Sequence, residues 1–355
     1  MRKLILITSI LISIVAQSQE YAFIPDSLRL LPMQELAKKQ PPADFEPVYY
    51  EDGTKAVFKE VLPLIMEQKL IPQMFVDENG EYKALVVKSL LKNEDIRIDY
   101  KNIPESLTKS GYSFGNPDSK KVIIYLQGGP VNYLTTYGFE SRMNLSGGLD
   151  ESEYFLINMR ESQTLHPEET EKEEISWEQA KKYNETTTKT LFDLINFFKS
   201  QNKKVYVVGG SYGSFVGLKS IVDNKNIADG YLLMVGRLDM TQEVSNAYSK
   251  GFEAKFEEDA ATPIISEKSD NIYTVNMRKI AAALSRDEKY TQLLKDTDLS
   301  NLIYIYSEID QSVGKLTEKE IQFLKSKKAD VVSVKIEHGK YSELLKDGLE
   351  MLLND

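Results

Sequence analysis

Ser211 lies in Gly209-Gly-Ser-Tyr-Gly213, and the residues on both sides suit a strand and a helix. Upstream, Lys204-Val-Tyr-Val-Val208 is β-branched and aromatic, and downstream the chain continues as a segment able to form a helix. A Gly-x-Ser-x-Gly turned tightly between such elements holds its serine at positive φ. Side chains two residues before and after it would collide with neighbouring backbone, so glycine is favoured at both places. The hydroxyl then stands clear at the C-terminal edge of a sheet, with a helix N-terminus beneath it. In that setting a serine is a nucleophile once a base takes its proton. The five letters alone are common; between a predicted strand and a predicted helix they are specific.

The chain offers two histidines as the base. His166 sits in the polar, acidic Thr164-Leu-His-Pro-Glu-Glu-Thr170 and reads as a solvated loop residue. His338 ends the alternating strand Val331-Val-Ser-Val-Lys-Ile-Glu-His338 and precedes Gly339. Strand-end loops of an α/β sheet gather at one edge, the edge an elbow serine occupies, so His338 is the expected base. The carboxylate that would orient the imidazole is sought after another strand. Asn301-Leu-Ile-Tyr-Ile-Tyr306 is apolar and leads into Ser307-Glu-Ile-Asp310, which makes Asp310 the preferred acid. Glu308 in the same loop and Asp239, after the strand Tyr231-Leu-Leu-Met-Val235, are competitors. A tetrahedral oxyanion also needs preorganised donors. The strand Lys121-Val-Ile-Ile-Tyr-Leu126 enters Gln127-Gly-Gly-Pro130, and its glycines leave amides unobstructed. The amides of Gly129 and Tyr212 are the expected donors.

Ser211, Asp310 and His338 follow one another in the order of the α/β-hydrolase triad. Leu-Gln-Gly-Gly-Pro paired with Gly-Gly-Ser-Tyr-Gly-Ser resembles the proline iminopeptidase branch of that superfamily, over roughly residues 120 to 345. That branch reads His-Gly-Gly-Pro-Gly at the oxyanion turn and Gly-Gly-Ser-Trp-Gly-Ser at the elbow. The resemblance implies an α/β-hydrolase fold: a mostly parallel sheet with helices on both faces and a helical cap. It also implies serine peptidase chemistry at the free N-terminus of short peptides, with Ser211, Asp310 and His338 on the triad positions. Three features depart from the pattern. Gln127 stands where the branch has histidine, and Val131 where it has glycine. Asn158-Met-Arg160-Glu-Ser-Gln replaces Asp-Gln-Arg-Gly-x-Gly, keeping Arg160 as a candidate substrate contact but losing the glycines.

Composition limits the alternatives. A chain of 355 residues, 41% hydrophobic, can bury a hydrolase core with additions. A formal charge of −10 without a basic cluster argues against nucleic acid as partner. With no cysteine and two histidines, neither disulfides, thiolate metal sites nor a histidine-rich metal site is expected, and no cofactor is implied. Met1-Arg-Lys, the apolar run from Leu4 to Ala16 and the small residues Ala16 and Ser18 read as a secretory signal peptide over residues 1–18. The run is too short to span a bilayer comfortably, so no stable membrane insertion is expected once it is cleaved. Its removal takes Arg2 and Lys3 and no acid, which deepens the negative balance.

The remaining chain divides into an N-terminal extension (19–80), a first part of the hydrolase core (81–237), a cap (238–297) and a second part of the core (298–355). Within the extension, Pro41-Pro42 marks a break, Thr54 to Lys69 has helical spacing, and Asn79-Gly80 signals a hairpin with both residues at positive φ. Ser176-x-x-Gln179 and Thr317-x-x-Glu320 are capping boxes. The segment 238–297 is too long for an ordinary crossover connection, and its Ala, Lys, Glu and Leu content reads as helices roofing the site. It carries Glu243, Glu253, Glu257, Glu258 and Asp259. An enzyme recognising a free N-terminus needs a buried carboxylate for the ammonium, and Glu243 is the first candidate.

The expected activity is therefore serine hydrolysis of short peptides at the amino end through an acyl-enzyme. A carboxylic-ester hydrolase would use the same machinery, and a non-catalytic binding protein on the scaffold is the alternative from another class. The signal pattern predicts a mature protein that begins near Gln19 and is periplasmic or secreted. N-terminal sequencing of protein from its native host checks this, and retention of Met1 to Ser18 on a cytosolic chain would refute it.

Overall fold

The computed structural model describes residues 21–31, 45–66, 70–89, 93–136, 139, 142–143 and 147–354. The expected signal peptide and the break at Pro41-Pro42 lie outside the described residues. The chain forms two compact units, one up to residue 90 and one from residue 91.

The first unit holds a five-stranded sheet in the order β1-β4-β5-β2-β3. Its strands are β1 (Arg29–Leu30), β2 (Val48–Tyr50), β3 (Lys55–Ala56), β4 (Leu70–Val76) and β5 (Tyr82–Ser89), with helix α1 (Phe58–Met66) between β3 and β4. Alternation on β4 and β5 sends Met74, Val76, Leu85 and Val87 to one face, against Phe58 and Val61 of α1. Phe75, Ala84 and Val86 go to the other, against Tyr21 and Ile24. Both faces are covered, which is why 74–76 and 84–87 are consecutive apolar residues and not an alternation with polar ones.

Three expectations for this unit are corrected. The helix begins at Phe58 rather than Thr54, because Lys55 and Ala56 turn back to pair with β2. The β4–β5 turn keeps Gly80 at φ 75° but not Asn79, since the Asp77 carboxylate accepts the amides of Asn79 (2.9 Å) and Glu81 (3.0 Å). That bonding favours a longer turn closed by a left-handed glycine over the two-residue form. The extension runs past residue 80, because β5 belongs to this sheet.

The second unit is built on a seven-stranded sheet in the order β14-β13-β10-β9-β7-β8-β6. In chain order the strands are β6 (Gly111–Gly115), β7 (Lys121–Leu126), β8 (Phe155–Met159), β9 (Lys204–Gly210), β10 (Gly230–Met234), β13 (Leu302–Ser307) and β14 (Asp330–Val334). All are parallel except β6, which runs antiparallel to β8 at one edge. The α-helices that follow β8 are α2 (Trp177–Ser200), α3 (Tyr212–Asn224), α4 (Gln242–Ser249), α5 (Ile272–Ala283), α6 (Tyr290–Leu293), α7 (Glu318–Ser326) and α8 (Leu345–Leu353). Leu191, Leu194 and Phe198 of α2 and Phe215 and Leu218 of α3 pack with Ile124, Val207 and Leu233 on one face. Leu349 and Leu352 of α8 pack with Ile123, Leu232 and Ile305 on the other.

Both anticipated capping boxes are present. The Ser176 hydroxyl accepts from Gln179 N while Gln179 Oε1 accepts from Ser176 N, and Thr317 and Glu320 exchange the same pair of bonds. The segment 238–297 contains α4, α5 and α6 and also an antiparallel pair, β11 (Phe252–Phe256) with β12 (Pro263–Lys268). Composition pointed to helices alone there. The pair forms because Ala254 and Phe256 alternate inward, where they join the core that includes Val244 and Met277. Among the described residues no helix is long and apolar enough to cross a membrane.

Phe198 is fully buried between α2 and the sheet, in contact with the rings of Tyr100 and Phe155. Phe198→Ala should cost about 3–5 kcal/mol of stability, measured by denaturant unfolding. A loss below about 1 kcal/mol would mean the neighbouring rings collapse into the space.

Candidate active site

Parallel strands β7, β9, β10, β13 and β14 deliver their following loops to one edge of the sheet. Ser211 follows β9 directly and begins α3 with φ 53° and ψ −119°. A non-glycine residue in that region costs about 1–3 kcal/mol and persists only when its surroundings over-determine it. Here they do. A Cβ on Gly209 would stand 2.6 Å from Gly213 O, and one on Gly213 2.3 Å from Leu126 O. Ser211 N donates to Met234 O at 2.9 Å, and the Ser214 hydroxyl accepts from Met234 N at 3.0 Å, tying the elbow to β10.

Ser211 Oγ lies 2.8 Å from His338 Nε2, and His338 Nδ1 lies 2.7 Å from Asp310 Oδ2. The other carboxylate oxygen of Asp310 accepts from Ser312 N (2.8 Å) and Val313 N (3.0 Å), so Asp310 is held in a single orientation while only 1% exposed. With Nδ1–H directed at the carboxylate, Nε2 is left as the acceptor for the serine hydroxyl. The competing acids lie elsewhere. Both oxygens of Asp239 accept from Thr291, through N (3.2 Å) and Oγ1 (2.5 Å), which anchors α6. Glu308 faces Lys335 at 3.7 Å. His166 is exposed, 3.6 Å from Glu168.

The turn after β7 packs against the elbow. A Cβ on Gly128 would come 3.5 Å from Ser211 Cβ and 2.9 Å from the Tyr341 hydroxyl. The Tyr341 ring fills the space a Gly210 side chain would need, at 2.3 Å. Tyr341 is three residues after His338, and its hydroxyl lies 3.3 Å from that of Tyr125, to which Arg142 Nη1 donates at 3.0 Å. Neither the Gly129 nor the Tyr212 amide donates to a backbone carbonyl in the turns and loops among the described residues. Gln127 braces the turn from beneath: Nε2 donates to Tyr133 O (2.9 Å) and Oε1 accepts from Thr135 N (3.1 Å).

Two anticipated substrate contacts are placed differently. Arg160 is buried, and its guanidinium donates to Asn93 O at 2.6 Å, to Asn93 Oδ1 and to Thr164 O at 3.5 Å. It clamps two loop segments together, because burial leaves a guanidinium no solvent to satisfy it. Burial alone lowers it to about 10. Glu243, in the first turn of α4, is exposed, as are Glu253, Glu257, Glu258 and Asp259. Their segment is nonetheless tied to the elbow: the Tyr212 hydroxyl donates to Asn184 Oδ1 (2.5 Å), and Asn184 Nδ2 donates to Ile280 O of α5 (2.9 Å).

The acid that is buried is Glu161, beside Arg160, which no sequence signal marked. It is 3% exposed. Its Oε2 accepts from Val131 N at 3.4 Å and from Gln163 Nε2, while Oε1 has no hydrogen-bond partner among the described residues and lies 3.4 Å from where a Gly129 Cβ would be. Burial pushes its carboxyl up to about 8, against the lowering effect of those hydrogen bonds. Among the described residues no cluster of His, Asp and Glu is arranged to hold a metal ion.

This sheet order, with one antiparallel edge strand, a serine elbow after a central strand and a glycine turn beside it, is the α/β-hydrolase fold. No protein-family model matches the chain, and no curated protein matches it. The chain is similar to several solved structures at low identity. A lipase-esterase related protein from Clostridium acetobutylicum shares 12% identity over 69% of this chain and 98% of its own, with a TM-score of 0.45. MGS-M2, an α/β-hydrolase enzyme from a Medee basin deep-sea metagenome library, shares 13% over 69% and 92%, with a TM-score of 0.45. Est1E from Butyrivibrio proteoclasticus shares 10% over 69% and 92%, with a TM-score of 0.42. Likeness at this level says nothing of substrate.

Glu161 gives the protein a pH signature. Its carboxyl is raised from 4.5 to about 8, so between those values the folded state holds a proton that the unfolded chain releases. Its contribution to stability is therefore greatest below about pH 4.5, declines as pH rises, and levels off above about pH 8. Glu161→Gln removes this titration. Unfolding curves from about pH 5 to pH 8.5 should show the unmodified protein losing a few kcal/mol more than the variant. Parallel profiles would contradict the raised carboxyl.

Proposed function

We propose that this chain is an exported serine hydrolase that releases amino-terminal residues from short peptides through an acyl-enzyme. The observation that carries the reading is the hydrogen-bonded series from Ser211 Oγ through His338 to Asp310, at 2.8 Å and 2.7 Å, on a strained elbow. In this reading Ser211 attacks the acyl carbon while His338 Nε2 takes its proton, and Asp310 stabilises the resulting imidazolium. The Gly129 and Tyr212 amides receive the oxyanion. His338 then returns the proton to the leaving amine, and the same groups activate water to release the acyl group. No metal or other cofactor has a step in this sequence.

The choice of peptides is supported by the motif resemblance to proline iminopeptidases and by a buried carboxyl beside the glycine turn. A second reading, a carboxylic-ester hydrolase with the same catalytic residues, draws on the exposure of Glu243 and the other acids of α4 and the β11–β12 pair. An ester hydrolase for neutral substrates needs no ammonium receptor.

An organophosphonate probe should label the unmodified protein at Ser211 and leave Ser211→Ala unlabelled. That variant should lose on the order of 10⁴- to 10⁶-fold in kcat on the best substrate. Aminoacyl p-nitroanilides with a free amine, prolyl and alanyl among them, should be cleaved far better than their N-acetylated counterparts. Equal rates would replace the peptidase reading with the ester hydrolase; no labelling at Ser211 would end both.

A further inference from the structure

We propose that Glu161 is the receptor for the substrate's free α-ammonium, with Oε1 as the accepting atom; this rests on the aminopeptidase reading of the site. A carboxyl oxygen that is buried and unpartnered leaves hydrogen-bonding capacity unused at a cost of about 1–3 kcal/mol, more when charged. Proteins seldom keep such an atom without a use for it. Here the unpartnered atom is Oε1, and its position is specific: it faces Gly129, the expected oxyanion donor, at the 3.4 Å a Cβ would measure.

The geometry suits one ligand class. In an N-terminal residue the amine is attached to the carbon next to the scissile carbonyl. When that carbonyl oxygen sits on the Gly129 amide, the amine lies within one residue of it. A carboxyl beside Gly129 is therefore placed to read the amine of the residue being released. Glu161 has no ion-pair partner among the described residues, and Arg160 turns away to Asn93 and Thr164. Gln163 and Val131 N occupy Oε2, and the nearby Gln127 amide, which donates to Tyr133 O, lowers the carboxyl less than either. The titratable groups facing it are phenols, Tyr212 of α3 and Tyr273 of α5, both raised by burial and so neutral.

Selectivity follows from electrostatics. A carboxylate beside an oxyanion repels it, whereas an ammonium between the two attracts both. Without a bound cation, burial keeps Glu161 protonated to about pH 8, and the repulsion is absent. A bound ammonium favours the carboxylate, which then releases its proton to solvent. The site is quiet when empty and charged when correctly filled.

The readout is the ratio of kcat/KM for alanyl p-nitroanilide to that for its N-acetylated counterpart, measured on one preparation so that any loss of folded protein cancels. Glu161→Gln should lower this ratio by about tenfold or more, mainly through KM of the free-amine substrate. Glu161→Asp, which keeps the charge, should recover part of the loss. On the unmodified protein, n-propylammonium should compete with the free-amine substrate while n-propanol should not, a test that needs no variant to fold. If the unmodified protein prefers free amines but its ratio is unchanged in Glu161→Gln, or propanol competes as well as propylammonium, Glu161 is not the receptor and the aminopeptidase reading stands. If the unmodified protein shows no preference, it is that reading that fails.

Discussion

The site depends on a left-handed backbone at Ser211 that the chain would not adopt by itself. Its cost is about 1–3 kcal/mol, comparable to a sizeable fraction of a domain's net stability. What holds it is contact: the elbow passes so close to Leu126 and to its own next turn that neither Gly209 nor Gly213 has space for a side chain. Ser211 N and the Ser214 hydroxyl pin the turn to Met234 on the neighbouring strand. Because these partners are backbone atoms of two central strands, the serine is positioned by the stiffest part of the sheet.

Everything else at the site is brought there by sheet direction. Parallel strands end on the same side, so loops separated by more than a hundred residues meet at Ser211. His338 arrives from the edge strand β14 and Asp310 from β13, next to it. The order of the strands is secured by burial on both faces, which makes a one-residue slip expensive, since it would exchange the two cores. The Ser307 hydroxyl, accepting from Ile336 N at 3.3 Å, binds the acid's loop to the histidine's strand.

Two buried carboxyls of the second unit are supplied with different donors. Asp310 is buried, accepts from two amides on one oxygen and faces the His338 imidazole with the other. Glu161 is buried with Val131 N and Gln163 Nε2 on one oxygen, and its proton stays on until about pH 8. Both carboxyls are almost fully enclosed, so they differ in their donors and not in depth.

The geometry of the elbow was legible in the sequence because it is local. Two glycines around a serine, between a β-branched run and a helix, specify a backbone conformation that few other residues tolerate. The glycine turn at Gly128-Gly129, the capping boxes at Ser176 and Thr317, and the chain order of Ser211, Asp310 and His338 were readable for the same reason. Each is set within a few residues or by strand order. Asp310 could be preferred over Glu308 and Asp239 from sequence, but only the fold put it against His338 while sending Asp239 to Thr291 and Glu308 to Lys335. Arg160 kept its place in the motif and changed its work, because burial turned its donors toward Asn93. The β11–β12 pair and the exposure of Glu243 depend on packing across 238–297, which composition does not encode. Glu161 is the clearest case. Its letter is ordinary, and its charge state and vacant oxygen arise only when Gly129, Val131 and Gln163 close around it, because desolvation is a property of the assembled surroundings and not of the residue.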